Sequence, residues 1–499
     1  MVAIALLAAA WGTLFRDTAA FPDNGIATLN ATAIATCQQL QSVLGTIIKL
    51  PSDPTYTNLS DENWSQTAWK QPSCIALPAN TTDTQKVVSI LVANGVPFAI
   101  RSGGHSPNPF DANINTGVLI STDNLNNQVL YDAASSSATF GPGLRWDAVY
   151  SALDPYNVSL VGGRVMDVGV GGLTLGGGLS YLSDLYGLVC DNIISYEVVL
   201  ADGSAVVADS SQNADLFWAL KGGSNNFGIV TKFKSRTYPI SQVWGGMQIF
   251  SPSQASEVMQ ALYEYQATPD KDPYANCIVN IAPINSSVLI TYVYLKPIER
   301  PEAFAPFFKV TPLVDYTGFY TLHQLMAAFP SPSIPRWTWF TSTYEANQDV
   351  YAQVASILSA NQSEVVALSK IPYGTLSAAI QPISKNAVLA GSSQGGGNAL
   401  GLKAVDQLWL ALDFGWVGEE YDDSASSLVE SLLSKIDAQA DAVGVNLPYV
   451  FMNDANIKQE VIESYGDDSV QRLRAVQHTY DPDHVFQRLV PGGQKLPAA

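Results

Sequence analysis

Charge is what this sequence has least of. Charged residues make up 14% of the 499, with 25 lysines and arginines against 44 acidic residues and a formal net charge of −19. So anionic a chain repels phosphate backbones and acidic lipid, which excludes nucleic acid and anionic membrane surfaces as partners. Histidine is rarer still: His105, His323, His478 and His484 stand far apart and in no ligand spacing. The four cysteines, Cys37, Cys74, Cys190 and Cys277, form no zinc or iron–sulfur pattern, so a metal centre is not expected. No apolar run approaches the ~20 residues needed to cross a bilayer. What is abundant is hydrophobic residues, 47% of the chain, enough to build the cores of two or three domains.

The apolar stretch from Val2 to Phe15 is followed by the small residues Thr18, Ala19 and Ala20. Residues 1–20 therefore read as a signal peptide cleaved near Ala20, although no lysine or arginine precedes Arg16; the alternative is a buried N-terminal helix. N-x-S/T triplets at Asn30, Asn58, Asn63, Asn80, Asn157, Asn285 and Asn361 fit a secreted, glycosylated chain. Cys37 and Cys74 flank a loop-rich stretch that a disulfide could staple in an oxidising compartment. Cys190 and Cys277 sit in apolar runs and read as buried free thiols.

From Thr82 to Asn94 the apolar spacing predicts a helix, opened by a Thr82/Gln85 capping box and stopped at Gly95. Phe98–Ile100 then reads as a strand, and Arg101-Ser102-Gly103-Gly104-His105-Ser106 as a turn at its tip. Glycines crowd the stretch VGGRVMDVGVGGLTLGGG, which contains Gly162, Gly163, Gly169, Gly171, Gly172, Gly176, Gly177 and Gly178. Such density lets backbone N–H groups approach a diphosphate without side-chain charge. No G-K-[ST] ends it, and it does not follow the first strand of a βαβ unit, so it is neither a P-loop nor a Rossmann fingerprint. Beyond about Pro239 glycine thins out and amphipathic helices alternate with strands, which points to a second domain of sheet backed by helices.

The ordered series RSGGHS, GPGLRW, VGVGGLTLGGG, YGLVCDNI, VVLADG, DLFWALKGGSNNFGIV and the C-terminal YDPDHVFQRLVPGG resembles the berberine-bridge-enzyme-like FAD-linked oxidases of fungi, in the vanillyl-alcohol-oxidase superfamily. The resemblance implies an α+β fold. A two-subdomain PCMH-type FAD-binding module is formed by residues 21–240 and a returning segment 446–499. A substrate domain, 241–445, is an antiparallel sheet backed by helices. It implies that His105 carries the flavin covalently through its 8α carbon. By the same resemblance, Arg101, Ser102, Gly103, Gly104, Ser106, Gly162, Gly163, Val168, the glycines from Gly169 to Gly178, and Gly228-Ile229-Val230 are expected to line the cofactor.

Two departures stand out. Relatives with a second link place a cysteine where this chain has Val165, so a single bond, through His105 and not Cys190, is expected. The position of the family's usual tyrosine base is Phe451; Tyr449, one strand step away, is the substitute, with Asn453 as a polarising group. Val168, small where relatives gate oxygen, implies an oxidase. The resemblance thus implies an extracellular, monomeric enzyme passing hydride from an alcohol or amine carbon, of a secondary metabolite or a sugar, to flavin N5, with O2 becoming H2O2. An oxidative cyclase, or a flavinylated binding protein with a disabled site, is the alternative.

Overall fold

The computed structural model describes residues 31–330, 332–359 and 361–497; the expected signal peptide and the Asn30 triplet lie outside them. The helix predicted after Asn80 runs Thr81–Asn94 and buries Thr84, Val87, Val88 and Leu91. Its cap differs from the sequence reading. Asn80 accepts from the Asp83 backbone N–H, and the Asp83 carboxylate in turn takes the Asn80 amide and the Ala79 N–H. That reciprocal pair caps the helix two residues earlier, at Asn80 instead of Thr82, and Gln85 is released to donate to Gly203 O at 2.8 Å. Gly95, at φ 62, ends the helix as expected.

This helix covers a four-stranded sheet in which Val118–Ser121 lies between Cys74–Ala76 and Phe98–Arg101, parallel to both. Cys37 is disulfide-bonded to Cys74 and ties the helix Ala31–Leu44 to that sheet. A second sheet of six strands centres on the long strand Ile229–Tyr238, flanked by Ser137–Phe140 and Ile193–Val199. The C-terminal stretch completes this half. Val485, Phe486, Leu489 and Val490 join the core of Phe98, Val118 and Ile120, and the Phe98 N–H donates to Leu489 O at 2.7 Å.

The third sheet has nine strands, all paired antiparallel, with Thr375–Ile383, Gln407–Trp416 and Arg336–Glu345 side by side. Period-two alternation gives it two different faces. Leu408, Leu410, Leu412, Phe414 and Trp416 pack with the helices Ala255–Gln266, Gln348–Ile357 and Asp422–Ala442. The alternate residue Trp409 belongs to the core of the glycine-rich half. Asp413, Ser377, Gln381, Trp337 and Trp339 share Trp409's parity and its face. The structure is thus the mixed α+β arrangement expected, with a helix-backed antiparallel sheet laid against the two-sheet half.

Other expectations fare variously. Cys190 and Cys277 are buried free thiols, as expected, with Cys190 opening a short 3-10 turn, Cys190–Asn192. Asn63 is 2% exposed, so its triplet cannot present a glycan acceptor. Asn58, Asn80, Asn157, Asn285 and Asn361 are exposed. Among the described residues no helix is long and apolar enough to cross a membrane, and no group of side chains could hold a metal ion.

Candidate active site

The turn after Phe98–Arg101 meets the glycine-rich segment backbone to backbone. A Cβ on Gly103 would lie 2.6 Å from Gly169 Cα, and one on Gly169 would lie 2.2 Å from Gly103 N. No side chain is tolerated at either position. Ser102 Oγ donates to Pro142 O at 2.7 Å and accepts from Gly171 N–H at 3.0 Å. Arg145, which sequence reasoning passed over inside GPGLRW, donates to Gly103 O at 3.0 Å and also to Asp167 O, clamping the two turns together. Gly172 faces open space. Asn453 braces the far end: its Oδ1 accepts from Gly178 N–H at 3.0 Å and its amide donates to Gly172 O at 3.3 Å. A Cβ on Gly176 would run into that amide at 2.5 Å.

The remaining predicted lining residues divide. Gly162 and Gly163 make room for the Trp146 indole, which a Cβ would reach at 2.5–2.7 Å. Gly228 lets its strand close on Val199 O, and Ile229 and Val230 are buried in that strand. Val168 O accepts from Trp146 N–H at 3.1 Å. The Arg101 guanidinium turns away from the glycines to Leu59 O at 2.6 Å and the Glu62 carboxylate at 2.7 Å. Ser106 Oγ donates to Asp111 at 2.7 Å. Both hold the loop's shape.

His105 is held flat. Trp64 stacks on its ring at 4.3 Å and 11°, Trp337 stacks on Trp64 at 4.9 Å, and Trp339 leans in at 5.8 Å from the imidazole. Nε2 is buried without a hydrogen-bond partner, with Asp167 Oδ2 3.8 Å away. A glycine-lined cradle that a Cβ would fill and a histidine held flat beside it fit a flavin dinucleotide. Gly103, Gly104, Gly169 to Gly178 and His105 would hold it.

Beside Trp339 lies a cluster the sequence reading missed. Asp413 is Trp339's register partner and Ser377's on the other side. Burial first, and the nearby Asp454 second, push the Asp413 carboxyl up to about 8. Asp454 is also raised by burial, against the opposing pull of Arg164 and a 2.9 Å hydrogen bond from Gln381. Arg164 donates to Gln381 and lies over the Tyr181 ring. The signal for Asp413 was present in LWLALDFGW: alternate leucines mark one strand face, and the acid stands on the other.

Tyr449 is placed otherwise than a base requires. It is 4% exposed and packed on Trp409 and Tyr465, and its enclosed hydroxyl has no partner. Burial raises it well above the usual phenol range. Phe451 shares the Trp409 contact, at 4.5 Å. Cys190 is buried and its thiol is likewise raised well above normal by burial, whereas Val165 is 38% exposed.

A family model described as an FAD binding domain matches residues 72–209. The chain is 36% identical to the bifunctional solanapyrone synthase of Alternaria solani, covering 92% of this chain and 88% of that one. It is 38% identical to an FAD-dependent monooxygenase of Arthrobotrys oligospora, covering 92% and 89%. In fold it resembles the xylooligosaccharide oxidase of Myceliophthora thermophila C1, with a TM-score of 0.77 at 22% identity over 94% of this chain and 99% of the other. The glucooligosaccharide oxidase of Acremonium strictum gives 0.76 at 20%, over 94% and 100%. The chain belongs to the family of FAD-dependent oxidoreductases that these fungal relatives represent. Within it, the chain is an FAD-dependent enzyme, like the two fungal relatives just named.

Proposed function

We propose that this protein is a secreted oxidase of a small alcohol or amine, with its FAD tethered once, through His105. Residues 21–240 and 446–499 hold the cofactor, and 241–445 present the substrate. The observation that carries this reading is Asp413, a carboxyl raised by burial on the sheet face turned towards the glycine-rich half, next to the tryptophan that contacts His105. When bound, the flavin supplies the hydride acceptor at N5 and returns electrons to O2 as H2O2.

The chain's residues supply the rest. Asp413, ionised, takes the proton from the substrate O–H or N–H as hydride leaves the adjacent carbon. A base with a midpoint near the working pH suits that task. Gln381 and Arg164 fix Asp454, whose charge keeps Asp413 basic. Trp339 sets an apolar ring beside Asp413, and Asn453 fixes the glycine segment. The proton-accepting role passes from Tyr449 to Asp413. This weakens the alternative of a disabled site, which rested on Phe451. The raised thiol of Cys190 and the valine at 165 support a single link.

The names of the relatives, a synthase and a monooxygenase, and of the solved sugar oxidases support a small-molecule substrate. The test is anaerobic titration of purified protein with alcohols, amines and sugars, followed at ~450 nm, where oxidised flavin absorbs. Bleaching, with recovery and peroxide on admitting air, is the expected result. A flavin that no compound in the panel reduces would reject the reading.

A further inference from the structure

We propose that Asp167 is the positioning residue that directs attachment of the flavin to His105. The inference rests on the tether proposed above. It starts from a geometric constraint. Trp64 covers one face of the imidazole at 4.3 Å, and Trp339 lies 5.8 Å away, so the ring cannot choose freely which edge it offers. The Nε2 edge is buried and faces the Asp167 carboxylate, 3.8 Å away. Arg145 fixes that approach, because one guanidinium nitrogen donates to the backbone carbonyls of both Gly103 and Asp167.

A neutral imidazole has one N–H and one lone pair, and the field of a carboxylate 3.8 Å from one nitrogen favours the tautomer with its proton on that side. Asp167 therefore keeps the proton on Nε2 and leaves the lone pair on Nδ1. The same carboxylate stabilises the positive charge that the ring acquires as it attacks, the division of labour of a nucleophile, its ring and an orienting acid.

The balance of the step is simple. A C–N bond forms between Nδ1 and the flavin 8α carbon, one C–H bond at that carbon breaks, and the imidazole N–H proton is lost. The two electrons and two protons released reduce one O2 to H2O2. Dioxygen is the oxidant, as in the proposed turnover. Asp167 is 45% exposed at its side chain, so the proton it shepherds can pass on to water.

The test uses full-length wild type, Asp167→Asn, Asp167→Glu and His105→Ala, each made without flavin and then given FAD in air. Acid precipitation separates tethered from released flavin over time. Mass mapping locates the adduct, and the pH at which the isolated histidyl-flavin peptide loses half its fluorescence identifies the bonded nitrogen. Asp167→Asn is expected to bind FAD but attach it ~10²-fold more slowly, the scale of a lost positioned acid–base group. Its residual adduct should be divided between the two nitrogens. Asp167→Glu is expected to restore most of the rate.

Attachment by Asp167→Asn at the wild-type rate and to the same nitrogen overturns the proposal. So does loss of all flavin binding in both Asp167 variants, which would make Asp167 a support of the fold. If wild type itself releases all its flavin to acid, the tether falls and this inference with it. That outcome is told apart by the wild-type lane alone.

Discussion

Asp413→Asn separates catalysis from stability in opposite directions. The gap between an ordinary aspartate at 3.8 and about 8 for Asp413 corresponds to ~6 kcal/mol against the ionised form in the folded protein. The sign follows from linkage. The folded chain holds this proton more tightly than the unfolded chain does, so stability falls as pH rises from about 4 through about 8 and then levels. An asparagine of the same shape carries no such charge. The variant is therefore expected to match wild type near pH 5 and to exceed it in Tm by pH 9, read by thermal unfolding. Flavin reduction moves the other way: the rate with a bleaching substrate should drop by ~10²–10⁴-fold. For wild type, kcat/KM should rise with pH to a plateau, with its midpoint near 8. A variant that reduces flavin at the wild-type rate, or a wild-type profile flat between pH 6 and 9, would refute the assignment. So would a Tm difference that does not grow with pH, because the buried charge is the source of both effects.

Three further outcomes are expected. His105→Ala should release its flavin on acid denaturation, and peptide mapping of wild type should find no flavin on Cys190; an adduct there would contradict the raised thiol. Val168→Ile should slow reoxidation by O2 more than reduction by substrate in stopped flow, and equal slowing would remove the gating role. Tyr449→Phe should leave the reduction rate unchanged and stability equal or slightly higher, because the lost hydroxyl is enclosed and without a partner. A large loss of rate would return Tyr449 to the chemistry.

The cofactor half was legible because its signals are local. Gly103, Gly104 and His105 are adjacent in sequence, and glycines that touch across turns announce themselves by having no side chain. The disulfide and the buried state of Cys190 and Cys277 could be anticipated for the same reason. Asp413 was hidden, because its importance depends on a strand's parity and on Trp339 in the neighbouring strand, which no single segment reveals. Arg145 and Arg164 were obscured in the same way: their partners are carbonyls and amides remote in sequence. Tyr449 and Phe451 lie on one side, as alternation expects, although no strand carries them. The pairing ends at Leu447, and the chain after it packs Tyr449 and Phe451 together on Trp409. The Thr82 cap was displaced by Asn80 through a side-chain reciprocity with Asp83.

Asn453 and Gly178 are 275 positions apart, and Leu489 supplies a bond to Phe98 at the base of the histidine turn. The near end of the glycine segment is clamped early, by Ser102 and Arg145, but its far end is unbraced until residue 453 has been made. A chain truncated before Asn453 would lose that brace, and is expected to retain less flavin than the full-length protein.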